Sequence, residues 1–146
     1  MYPDPEKEGI YLNVLVVEPG YAPYEKEVNG LDEMQAVVGG LIQPIYPYKE
    51  PVAVVCNDEG LLMGLPFNRS IEGGYGGVSG TFFVCGLGEE SFCSLTPEQV
   101  KTYKQKFHQA EILLGAVGNE PITLKVPPKT KEPPKPKSRE KPMERE

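Results

Sequence analysis

The sequence predicts an α+β fold: a mixed, largely antiparallel sheet of about four to six strands packed by two helices. Three observations predict it. Short apolar runs rich in Val, Ile and Phe recur at residues 10–17, 52–56 and 81–85, each of strand length and each closed by Gly, Pro or Asn. Residues 29–38 and 96–107 instead place apolar side chains at helical spacing, behind residues that cap helices. From Pro127 to Glu146 the chain is almost wholly Pro, Lys, Arg, Glu, Ser and Thr, which cannot bury enough apolar surface to offset chain entropy. Residues 10–126 are therefore expected to form one domain, residues 1–9 a flexible N-terminus and residues 127–146 a disordered Pro/Lys-rich tail.

The elements follow in order. Ile-Tyr-Leu-Asn-Val-Leu-Val-Val at 10–17 reads as a central strand ended by Glu18-Pro19-Gly20, and residues 24–28, which alternate with charge, as a strand on an edge. The first helix starts at Asn29 as N-cap, carries Asp32 and Glu33 in the first turn where they favour the helix dipole, and ends at Gly39. Leu31, Met34 and Val38 share its apolar face. Residues 41–46 read as a strand that Pro44 confines to an edge or a bulge. The run Val52-Ala53-Val54-Val55-Cys56 is a buried strand, Asn57-Asp58-Glu59-Gly60 a turn, and residues 61–65 the returning strand of a hairpin. Residues 71–80, with five glycines, read as a flexible loop; the Gly73-Gly74-Tyr75-Gly76-Gly77 stretch lacks the helix and Lys-Ser/Thr pair of a phosphate-binding loop. Thr81-Phe82-Phe83-Val84-Cys85 is a third apolar strand. Thr96-Pro97-Glu98-Gln99 is a capping box with Pro at the first helical position, followed by Val100, Tyr103 and Phe107 on one stripe. Gly115 and Gly118 break the pattern, and residues 122–126 form one more short strand. Both helices are expected on one face of the sheet.

Charge bounds the partners. Residues 127–146 carry seven Lys/Arg against four Asp/Glu, whereas the other 126 residues carry eight against seventeen. Such an acidic body repels nucleic-acid backbones, so direct nucleic-acid binding is not expected of it. Its acidity also suits a DNA mimic, which needs carboxylates in one continuous stripe. No apolar run approaches the length that spans a membrane, and the acidic, Pro-broken start has no signal-peptide pattern. Three Cys and one His are too few and too scattered for a disulfide framework or a zinc site, so reduced thiols, a cytoplasmic location, no metal and no cofactor are expected.

The candidate ligand-binding or interaction residues are Asn57, Asp58, Asn68, Arg69 and Tyr75. A strand, turn and returning strand would bring Asn57 and Asp58 to the same rim as Asn68 and Arg69. There Arg69 would offer a planar fork to a carboxylate or phosphate, or pin the loop through an ion pair to Asp58 or Glu72. Eight tyrosines accompany no Trp. Those in or beside loops, Tyr46, Tyr48 and Tyr75, suit a protein-binding face. Cys93 with His108 as a nucleophile pair is disfavoured, because Glu89 and Glu90 would raise the thiol.

Six segments appear in a fixed order: Val17-Glu18-Pro19-Gly20, residues 31–40, Cys56-Asn57-Asp58-Glu59-Gly60, Gly64-Leu65-Pro66-Phe67-Asn68-Arg69, Gly80-Thr81-Phe82 and Leu95-Thr96-Pro97-Glu98-Gln99. Over residues 12–107 the chain resembles the bacterial and phage family known as domain of unknown function 3846. The resemblance implies an accessory or interaction protein of a mobile element or phage, with a host protein as the partner it modulates, and carries no catalytic residues with it. The alternatives are a small-ligand binder or an enzyme using Asn57, Asp58, Asn68 and Arg69, and the acidic DNA mimic.

Overall fold

Valine recurs along the inner strands, where its branched β-carbon packs well on a pleated surface. The computed structural model describes residues 11–130. Its strands are β1 (Leu12–Val17), β2 (Tyr24–Val28), β3 (Ile42–Ile45), β4 (Val52–Asn57), β5 (Phe67–Ile71), β6 (Gly76–Ser79), β7 (Phe82–Leu87), β8 (Phe92–Cys93), β9 (Ala110–Val117) and β10 (Glu120–Val126). The helices are α1 (Gly30–Val38) and α2 (Pro97–Lys106). The main sheet runs β2-β1-β7-β4-β3, with β8 added to the last residues of β7; β5–β6 and β9–β10 form two further hairpins. Every strand pair is antiparallel. The outer strands β2 and β3 are the two expected at edges, one carrying alternating charge and the other Pro44.

Alternation along the strands divides the core in two. Leu15, Val17, Val52, Val54, Phe82 and Val84 pack on one face with Val100 and Tyr103 of α2, with Phe107 at its C-cap, and with Ile71 and Val78 of the β5–β6 hairpin. Val14, Val16, Ala53, Val55, Phe83 and Cys85 pack on the other with Met34 and Val38 of α1. The helices thus lie on opposite faces, not on one. An inner strand with no polar position, such as Val52 to Cys56, exposes apolar side chains on both sides, and each side needs a cover.

The helix ends follow their caps unevenly. In α2, Thr96 Oγ1 accepts from Gln99 N–H at 3.1 Å while Gln99 Oε1 accepts from Thr96 N–H at 3.0 Å, so the expected capping box is complete. In α1 the Asn29 side chain makes no cap hydrogen bond; Glu33 Oε1 instead accepts from the Asn29 N–H at 2.8 Å. Gly39 ends α1 in the left-handed region, at φ 79°, as its position predicts. Leu31, expected on the buried face, is 51 % exposed; Met34 and Val38 alone are buried.

Four other expectations change. Residues 61–65 are not a returning strand. Asn57 Oδ1 accepts from Glu59 N–H at 2.7 Å and Met63 N–H donates to Glu59 O at 2.8 Å, so the chain curls into consecutive turns and β4 takes β7 as its neighbour. The glycine-rich stretch 71–80 is the turn and second strand of the β5–β6 hairpin rather than a loop. Gly115 and Gly118, expected only to break the helical pattern, lie in a strand and its turn: β9, which was not expected, runs through Gly115, where the pairing with β10 shifts register, and Gly118 lies in the turn to β10. Finally, the start of the expected tail is bound to the body, Lys129 N–H donating to Gly20 O at 2.9 Å and Ala22 N–H to Lys129 O at 2.8 Å. Residues 1–10 and 131–146, which hold most of the expected N-terminus and tail, lie outside the described residues. Among those described, no helix is long and apolar enough to cross a membrane.

Candidate functional site

Strand β5 carries Asn68 and Arg69 inward, and both are fully buried. Its pairing with β6 shifts register between Phe67 and Arg69, an irregularity of the kind that re-aims a side chain. Asn68 Nδ2 donates to Val17 O at 2.8 Å and to Gly80 O at 2.9 Å. Arg69 Nε donates to Phe107 O at 3.3 Å, Nη2 to Phe107 O at 2.8 Å and Tyr21 O at 2.7 Å, and Nη1 to Asn68 Oδ1 at 2.8 Å and Asn68 O at 3.4 Å. These bonds match in number the five donors of a guanidinium. Its position at the C-terminal cap of α2 also suits a cation, because helix carbonyls converge there. Burial lowers the guanidinium to about 10, and the nearby Glu111 carboxylate offsets part of that fall. Arg69 therefore stays charged at neutral pH and joins β5, the end of α2 and the turn at Tyr21. The partners are backbone carbonyls and the side-chain amide oxygen of Asn68, not the Asp58 or Glu72 carboxylates that the sequence suggested.

Asn57 is also engaged internally: Nδ2 donates to Val38 O, at the end of α1, at 3.1 Å while Oδ1 accepts from Glu59 N–H. Gly40 must lack a side chain for this contact, since a Cβ there would lie 2.8 Å from Asn57 Nδ2.

The remaining candidates meet at a cleft. An open cavity of about 460 Å³ lies between the β3–β4 edge, the β5–β6 hairpin and the β9–β10 hairpin. Asn57, Asp58 and Tyr75 line it, as do Cys56, Leu61 and Leu113; Asn68 and Arg69 do not. The expected four-residue rim thus separates into a cleft-side pair, Asn57 and Asp58, and a buried pair, Asn68 and Arg69. Asp58 is exposed, and Tyr75 Oη accepts from Tyr46 N–H at 3.5 Å. Burial raises the Cys56 thiol and the Asp58 carboxylate adds to this, so the thiol form is favoured. The β9–β10 hairpin roofs the cleft and is tethered at its tip, where Asn119 Nδ2 donates to Gly74 O at 3.3 Å. Its base is held by Glu111, whose Oε1 accepts from Ser70 N–H at 3.0 Å and Ser70 Oγ at 2.9 Å. Among the described residues, no group of three or more His, Cys, Asp or Glu could hold a metal ion.

Sequence reasoning missed the apolar border of this cleft. Leu61, Leu62 and Met63 are 81 %, 86 % and 53 % exposed, one after another. Backbone hydrogen bonds hold them there, from Gly64 N–H to Leu61 O at 3.1 Å and from Leu65 N–H to Gly60 O at 3.0 Å. On the other side Leu113 of the β9–β10 hairpin lines the cleft, and Ile112, Leu114, Val117, Ile122 and Leu124 of the same hairpin are exposed away from that lining. The signal for the turn lay in the sequence: three apolar residues bracketed by Gly60 and Gly64 fit neither a strand's alternation nor a helix stripe.

A family model described as Domain of unknown function (DUF3846) matches residues 12–108. No curated protein and no solved structure matches the chain. The matched span ends just before β9, so the β9–β10 hairpin that roofs the cleft lies outside it.

Proposed function

The chain belongs to the DUF3846 family, whose description assigns no activity, and we propose from its own surface that it is a non-enzymatic interaction protein that holds an apolar segment of a partner protein. One observation carries this reading: Leu61, Leu62 and Met63 are held on a hydrogen-bonded turn, facing solvent, at the border of a cleft. Displaying three large apolar side chains in succession gives up the transfer free energy of burying them, roughly 1.5–3 kcal/mol for each if fully buried. Contiguous apolar surface of this kind marks interaction sites. The exposed Asp58 and Glu59 beside the turn add negative charge, so the partner segment carries Lys or Arg around an apolar centre. The setting is that of a cytoplasmic accessory protein of a bacterial mobile element or phage acting on a host protein, as the resemblance implies.

A second reading has its own support. The cleft volume lies in the range of small-molecule sites, about 300–1,000 Å³, so a small ligand bound beside Asp58 and Tyr75 is the alternative.

The test is capture from host lysate by the full chain and by a triple variant, Leu61→Ser, Leu62→Ser, Met63→Ser, with native mass spectrometry of the purified protein alongside. A partner retained by the wild type and reduced at least about tenfold by the variant, the loss expected when hot-spot side chains are truncated, supports the interaction reading. Equal capture by both proteins refutes it. A small molecule that co-purifies and is lost in Tyr75→Ala moves the assignment to the ligand reading.

A further inference from the structure

Charge in residues 131–146 alternates without exception. Lys131, Lys135, Lys137, Arg139, Lys141 and Arg145 hold odd positions, and Glu132, Glu140, Glu144 and Glu146 hold even ones. Alternate side chains of an extended segment share a face, so every cation falls on one side and every carboxylate on the other. Met143, the one large apolar residue of the segment, lies on the basic side between Lys141 and Arg145. A helix would mix the two charges, and Pro133, Pro134, Pro136 and Pro142 oppose one. Resting on the partner-binding reading of the turn at Leu61–Met63, we propose that residues 139–145 dock on that same turn and are its first occupant, one that a partner must displace.

Charge and position both select this occupant. Residues 131–146 carry six Lys/Arg against four Glu, whereas residues 1–130 carry nine Lys/Arg against seventeen Asp/Glu. Lys129 is fixed at the β1–β2 connection, where its N–H donates to Gly20 O and its carbonyl accepts from Ala22 N–H. That connection and the turn lie at one end of the sheet, since Val17 of β1 pairs with Phe82 and Val55 of β4 with Phe83. Asn68 Nδ2 bridges Val17 O and Gly80 O, and Leu65, at the close of the turn, lies against Gly80, where a Cβ would stand 2.7 Å from Leu65 Cδ1. Only β7 separates β1 from β4, so the crossing is roughly two strand spacings, about 10 Å.

The reach is sufficient. Met143 follows Thr130 by 13 residues, and an unrestrained chain of that length covers about 20 Å on average and about 40 Å when extended. Met143 meets Leu61, Leu62 and Met63, while Lys141 and Arg145 face the exposed Asp58 and Glu59. One methionine and two ion pairs make a weak contact between separate molecules. A short tether raises the effective concentration to the millimolar range, so a contact with a millimolar dissociation constant is populated in roughly half of the molecules. A partner segment with a larger apolar centre displaces it, and the docked segment sets a threshold that such a partner must exceed.

The test is amide NMR of the full chain against the full-length variant Lys141→Glu, Met143→Ser, Arg145→Glu. Amides from Asp58 to Leu65 should differ between the two proteins. The synthetic peptide of residues 137–146, titrated into the variant to about 5 mM, should move those amides back toward their wild-type positions. In a chain that also carries Leu61→Ser, Leu62→Ser, Met63→Ser, the tail substitutions should leave the body's spectrum unchanged. Identical spectra from Asp58 to Leu65, differences confined to another part of the body, or a peptide without effect overturns the proposal. Capture of a host protein by the wild type and its loss in the turn variant do not depend on these spectra, so the partner-binding reading stands or falls separately.

Discussion

Arg69→Ala is the sharpest test of the buried network. The substitution removes a guanidinium whose donors occupy Phe107 O, Tyr21 O and Asn68 Oδ1. Each acceptor left without a partner in the interior costs about 1–3 kcal/mol, and water entering the vacated space recovers part of the three. Removing one side of a buried charged network typically costs about 3–5 kcal/mol, so a loss of about 4 kcal/mol is expected. Arg69→Lys keeps the charge but has three donors and no planar fork, so it should lose about 2 kcal/mol. Because the chain has no Trp, urea unfolding is followed by far-UV circular dichroism. With a slope of about 2 kcal/mol/M, the alanine variant's midpoint should fall by roughly 2 M. A fall of less than about 0.5 M, or equal losses for Ala and Lys, would refute the claim that the fork's geometry joins β5 to α2 and to the Tyr21 turn.

Three further outcomes follow from the same geometry. Thr96→Ala, which removes the acceptor for Gln99 N–H, should lower stability by about 1 kcal/mol in the same assay. Gly76→Ala places a Cβ 2.8 Å from Asn119 O at a residue with φ 83°, so it should cost about 1–2 kcal/mol and free the tip of the β9–β10 hairpin. Hydrogen exchange should then quicken in β9 and β10 while β4 and β7 keep their protection. Acid unfolding reports on Glu72. Burial, the largest single effect, raises its carboxyl, but the hydrogen bond and charge of Lys106, together with a backbone hydrogen bond and one from Tyr48, outweigh it and leave it lowered. A carboxylate lowered in the folded state contributes stability above its unfolded value, near 4.3, and loses it as pH falls through the folded one. Both partners are partly exposed, so the contribution is no more than about 0.5 kcal/mol. Lys106→Ala should remove that much at pH 7 and nothing at pH 2.

Much of the fold was legible because its signals are local. The capping box at Thr96 and Gln99, the left-handed Gly39, the edge position that Pro44 dictates and the apolar runs of β1, β4 and β7 need only neighbouring residues to be read. The site was less so. Asn68 and Arg69 look like loop residues between Pro66 and a glycine-rich stretch, yet their partners lie at Val17, Tyr21, Gly80 and Phe107, up to 51 residues away. Nothing near a buried Arg announces which carbonyls will receive it. The side on which α1 lies was equally hidden, since its stripe of Met34 and Val38 would fit either face. The unbroken run from Val52 to Cys56 did say that both faces of that strand are covered, a message that the assumption of a one-sided sheet obscured.

That two-sided sheet has a consequence for how the protein can change. The buried Arg69, the β5–β6 hairpin and much of the cleft are tied to the face that packs on α2, whereas α1 closes the opposite face and reaches the cleft through Asn57, which donates to Val38 O. The strands act as a partition: Leu15 and Val16 are adjacent along the chain yet belong to separate interiors. Substitutions in the two interiors that lie more than about 7–10 Å apart should therefore combine additively, as for sites without shared partners. Recognition surfaces on the α2 side can diversify to follow a changing partner while the α1 side keeps the domain folded.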